Sequence, residues 1–123
     1  MAYGFGARTH NRGEGQDSCD LFSMSGDFQD PFIISQDEIL GCYQGTIKSV
    51  RLALPVNYSK IVRFVCDLAQ MEFGTAVDVT GIRNYYVLVL LMAGVIDDLQ
   101  NSLNEILRAR DVPISVVIVK IGK

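Results

Sequence analysis

Residues 84–98 read NYYVLVLLMAGVIDD, and this stretch decides the fold. From Tyr85 to Met92 the side chains are aromatic, β-branched or aliphatic without a charge, which predicts a β-strand covered on both faces, as in a parallel sheet. Gly94 breaks the run, and the amphipathic segment that follows predicts a helix. In open α/β sheets ligands bind at such C-terminal strand ends. Here the turn carries Met92, Ala93 and Gly94, with no carboxylate, no hydroxyl and no phosphate-binding glycine pattern.

Outward from that strand, Asp97 and Gln100 have the spacing to cap a helix reciprocally from about Asp98 to Arg110, with Leu99, Leu103, Ile106 and Leu107 as its core face. Asp111-Val112-Pro113 is a tight connection to a second buried strand, Ile114–Ile121 (ISVVIVKI). Strand–helix–strand predicts a right-handed βαβ unit with a parallel pair. Upstream, Asn57 is a good N-cap for a helix from about Tyr58 to Glu72, with Ile61, Phe64, Val65, Leu68 and Met71 inward and Lys60, Arg63, Asp67 and Gln70 in water. Gly74 is placed to end it, and Thr75 to Arg83 is a loop. An earlier helix starts at Ser35, which with Glu38 forms a capping-box spacing. Ile39, Leu40, Tyr43, Ile47 and Val50 make its apolar face, while Gly41 and Gly45 weaken it by about 1 kcal/mol each. Arg51 to Pro55 is a short extended link. Ala2 to Ala7 is a short strand, Leu21 to Ser25 a second, and 8–34 is otherwise irregular.

A chain of 123 residues, 49% hydrophobic, suffices for one small domain. The uncharged run Tyr85 to Ile96 is shorter than the roughly 20 residues of a membrane span, and no signal-peptide pattern opens the chain. A net charge of −3 and a pI near 5.0 argue against nucleic acid as the main partner. Cys19, Cys42 and Cys66 are too widely spaced, beside the single His10, for a zinc site or a disulfide framework. They read as small hydrophobes in a reducing compartment, and the chain as cytoplasmic.

With these elements placed, the residues resemble the C-terminal von Willebrand factor A-type domain of copines. Four segments carry the likeness in order: Tyr3 to Arg8 (YGFGAR), Ile39 to Pro55, Tyr85 to Asp98, and Leu103 to Gly122. The resemblance implies an α/β fold, a partial doubly wound (Rossmann-like, von Willebrand A-type), mostly parallel sheet with flanking helices. It also implies a non-enzymatic domain that recruits protein targets. In full-length copines this domain follows tandem C2 domains that bind phospholipid with calcium. Membrane association would then come only through C2 domains absent from this chain.

The departures from the family pattern are specific. A-type domains hold a divalent cation with an Asp-x-Ser-x-Ser loop, a Thr in a second loop and the Asp of a Thr-Asp-Gly turn. The first is absent, since Asp20 stands one residue too far from Ser23 and Ser25. The second loop matches Leu54-Pro55-Val56-Asn57, so methyls of Val56 stand for the Thr hydroxyl. The turn matches Met92-Ala93-Gly94, so the carboxylate is gone. Mg²⁺ requires several oxygens in near-octahedral array, and neither Val56 nor Ala93 has one. Pro55, Val56, Asn57, Met92, Ala93, Gly94 and Asp97 are therefore expected to form a degenerate metal site, an interaction face without metal or cofactor. The chain also starts late against the family pattern, which implies that about the first half of the fold is missing. The strand Tyr3–Gly6 would then have an open edge, an invitation to self-association.

Other candidates have plainer explanations. Gly4-Phe5-Gly6 lacks the third glycine and the following helix of a dinucleotide site. His10 has no visible catalytic partner, and Ser102 and Ser115 lack a nucleophile-elbow context. Capping explains Asp97 and Asp98, with a displaced cation site beside the turn as the alternative. A ubiquitin-ligase function of the kind attached to similar plant domains would require RING cysteines and histidines, which are absent. The expected function is an intracellular protein-interaction module with an unidentified protein partner. The alternatives are part of a calcium-dependent phospholipid-binding protein, or a decayed fragment.

Overall fold

Strand β1, Tyr3–Thr9, carries the first apolar run and lies between two partners in the computed structural model, which describes residues 1–9, 20–75 and 84–122. On one side it pairs antiparallel with β2, Asp20–Ser23. On the other it pairs antiparallel with β3, Val50–Leu52, through Ala7↔Leu52, Arg8↔Arg51 and Thr9↔Val50. The glycines of YGFGAR have separate reasons. Gly4 stands opposite Phe22, whose ring occupies the place of a Cβ. Gly6 sits where the β1–β2 register shifts, at φ +74°, a left-handed conformation that side chains disfavour. Its carbonyl accepts a 3.0 Å bond from the Ala53 amide, and a Cβ there would lie 3.3 Å from Cγ2 of Val56.

Helix α1, Gln36–Ser49, begins as its sequence dictates. Ser35 Oγ accepts the Glu38 amide at 3.2 Å. The return arm differs from the expected box: Glu38 Oε2 accepts the Ile34 amide at 2.9 Å, one residue further out. The helix passes at Val50 straight into β3. These elements, with a Tyr3–Phe28 edge-to-face pair at 5.8 Å, make up the first of two units, Met1–Val56.

The second unit, Asn57–Lys123, contains α2 (Tyr58–Thr75), β4 (Tyr86–Ala93), α3 (Leu99–Ala109) and β5 (Ile114–Ile121). β4 and β5 pair in parallel without slippage from Tyr86↔Ile114 to Ala93↔Ile121. The βαβ expectation and the boundaries of both strands agree with the structure to within a residue. Alternation along β4 buries Leu90 and Met92 and leaves Val87, Val89, Leu91 and Ala93 exposed. Ile61, Val62, Cys66 and Ala69 of α2 complete the core with Ala109 and Ile114. Burial pushes the Cys66 thiol above its ordinary pKa, in keeping with a core hydrophobe.

Several expectations need correction. The fold is mixed α/β, but its sheets are a three-stranded antiparallel one and a two-stranded parallel one, not a doubly wound, mostly parallel sheet. The stretch Arg51–Leu52, expected to be a link, is strand β3, because its backbone groups find partners on β1. That pairing places β1 between two partners, with β3 reaching it at Ala7 to Thr9 and β2 at Tyr3, Gly4 and Ala7. The apolar face of α1 is uncovered, with Ile39, Leu40, Tyr43 and Ile47 all exposed. In α2 the burial turns from the expected stripe toward Val62, Cys66 and Ala69, leaving Met71 exposed. Helix α3 is rotated furthest: Ser102, Glu105 and Ala109 are buried, while Leu99, Leu103 and Leu107 are exposed. His10, Cys19 and most of the predicted Arg8–Asp20 and Thr75–Arg83 loops lie outside the described residues.

Two glycine substitutions should move stability in opposite directions. Gly6→Ala forces a Cβ into the left-handed region and should destabilise by about 1–2 kcal/mol. Gly41→Ala, in open space on α1, should stabilise by about 1 kcal/mol. Urea unfolding of both variants beside the parent checks the pair.

Candidate functional site

The turn after β4 is built around one carboxylate. Gly94, at φ +89°, lets the chain leave the strand, and Asp98 is the N-cap residue of α3. Its side chain makes no cap bond to its own helix backbone. Instead the Tyr58 amide donates to Oδ1 at 3.0 Å and the Ser59 amide to Oδ2 at 2.9 Å, so Asp98 caps α2 from 40 residues away. Ser102 Oγ donates to Oδ1 at 3.0 Å, and the Ser59 hydroxyl bonds the same carboxylate. Four donors match the roughly four lone-pair sites of an ionised carboxylate. Burial alone would raise the Asp98 pKa, but the bonds from Ser59, Tyr58 and Ser102 outweigh it and hold the group below its ordinary value. The expected Asp97/Gln100 capping pair is thus replaced. Asp98 takes the cap position, and Gln100 bonds Asn104 along the helix at 3.3 Å.

The turn is acidic and mostly apolar around that carboxylate. Met92 is buried at 5% exposure, with its thioether in the core, while Ala93, Gly94 and Asp97 are exposed. Tyr58 is buried, and its phenol is raised above its ordinary pKa by burial first, then by the charges of Asp97 and Asp98. The Asp98 bonds bring the start of α2, and with it Asn57, to the turn that holds Met92 to Asp97. Pro55 and Val56 belong to the first unit, where Val56 packs over Gly6 and Pro55 is exposed after a cis Leu54–Pro55 bond.

The donor chemistry does not fit a divalent cation. At this turn Ala93 brings only a methyl group, Met92 is buried, and the oxygens of Asp98 are taken by protein donors. Among the described residues no three His, Cys, Asp or Glu side chains gather where one ion could be held.

A second polar cluster joins α2 to α3. Arg63 donates through Nε at 2.8 Å and through Nη2 to Oε1 of Glu105, a residue only 6% exposed. Arg108 bonds Asp67 at 2.7 Å and Gln70 at 3.2 Å, and its Nη1 lies 3.5 Å from the other oxygen of Glu105. Hydrogen bonding to Glu105 raises the Arg63 pKa further. Arg63 and Gln70 are exposed and Asp67 is half-exposed, as expected of the solvated face of α2, and the bonds to α3 run along its border.

Asp98→Ala should destabilise the protein by about 2 kcal/mol at neutral pH, because the starts of two helices lose their acceptor. The pH dependence has a definite sign. A carboxyl depressed in the folded state contributes fully above its unfolded value, and the contribution fades as pH falls through the folded value. The stability gap between parent and variant should therefore narrow below pH 3.8, the ordinary aspartate value. Denaturant titrations at a series of pH values check both points. A gap that widens in acid contradicts the assignment.

The family and the relatives follow from the same segments. The model of the copine family matches residues 1–123. The chain is 28% identical over 121 residues to Protein BONZAI 1 of Arabidopsis thaliana, and 27% identical over 121 residues to Protein BONZAI 2 of the same plant. Each alignment covers 98% of this chain and 19% of the relative, so the chain spans about a fifth of the length of these relatives. With every residue of it inside the family match, the chain belongs to the copine family.

Proposed function

We propose that the chain is a copine-type protein-interaction module, non-enzymatic and independent of metal. The observation that carries this reading is the chemistry of the strand-end turn. At the positions where an A-type domain offers Thr and Asp oxygens to a cation, this chain has Val56, Met92 and Ala93, and the nearest carboxylate, Asp98, is spent on capping. Within the second unit, Asn57, Met92, Ala93, Gly94 and Asp97 are then positions of a degenerate adhesion site, offered to a protein partner by shape and apolar contact. The finer fold belongs to the same reading: the parallel β4–α3–β5 unit is taken as a portion of a doubly wound, von Willebrand A-type sheet. A protein partner met in the cytoplasm, with no nucleic acid and no cofactor, completes it. Among the described residues, no helix is long and apolar enough to cross a membrane.

The second reading is favoured by the coverage. The relatives are about five times as long as the matched segment, leaving room for domains that bind calcium and phospholipid. In that case this segment contributes protein recruitment, and membrane binding lies elsewhere in the chain.

Thermal melts with Mg²⁺ or Mn²⁺ separate a metal-dependent site from a metal-independent one, because a ligand that binds only the folded state must raise Tm. No metal-dependent rise is expected, in the parent or in a Val56→Thr/Ala93→Asp variant, which still lacks the first metal loop. A saturable, concentration-dependent rise in the parent Tm would falsify the metal-independent reading.

A further inference from the structure

We draw no further inference here: the strongest candidate, the half-exposed aliphatic face that Val87, Val89, Leu91, Val117, Val119 and Ile121 form on the β4–β5 pair, carries none because nothing in the structure shows what covers it.

Discussion

The Asp98 carboxylate is the constraint on which the second unit turns. Two helices begin beside it, and the first-turn amides of a helix have no partner within their own element. Placing one carboxylate on the Tyr58 and Ser59 amides, and on the Ser102 hydroxyl one turn into α3, ties both starts to the end of β4. The negative charge also lies at the positive end of the α2 dipole, which stabilises it there. With the two helix starts pinned together, the side chains along the α2–α3 seam are set. Ser102 and Ala109 are small enough for close approach, and Glu105 between them must meet a cation, which Arg63 supplies.

That seam explains why the helices were easier to locate than to orient. The spacing of Leu99, Leu103, Ile106 and Leu107 reveals an amphipathic helix, and Ile114–Ile121 is a strand at the stated residues. Periodicity shows that an apolar stripe exists but not which neighbour covers it. The polar side of α3 meets a donor, Arg63, and an acceptor, Asp67, on α2, a long-range match that a window of sequence does not contain. The Asp98 cap was hidden for the same reason, its partners lying 39 and 40 residues back. By contrast Ser35 caps Glu38 three residues away, and that bond was readable directly, even though the Glu38 return arm slipped to Ile34. In the first unit, a three-residue strand at Val50–Leu52 is too short to leave a pattern.

The candidate site was legible mainly through what its positions lack. Val56, Met92 and Ala93 name themselves only against a family pattern, and composition gave no hint that oxygens were absent from a special place. Their burial adds physical content. Met92 belongs to the core of the second unit, and Val56 packs on Gly6 within the first.

The uncharged strand β4 bears on how the remaining surface should be understood. Strands that end at solvent carry lysines, prolines or bulges that discourage further pairing. β4 has none of these, and its partner β5 has only Lys120. A sequence of this kind is suited to cover on both faces, and the structure buries Leu90, Met92 and Ile114 of one face while Ile118 on that face stays half-exposed. Apolar stripes of α1 and α3 stand exposed as well. Among the described residues, interaction by aliphatic area therefore has more of the molecule behind it than interaction through charge.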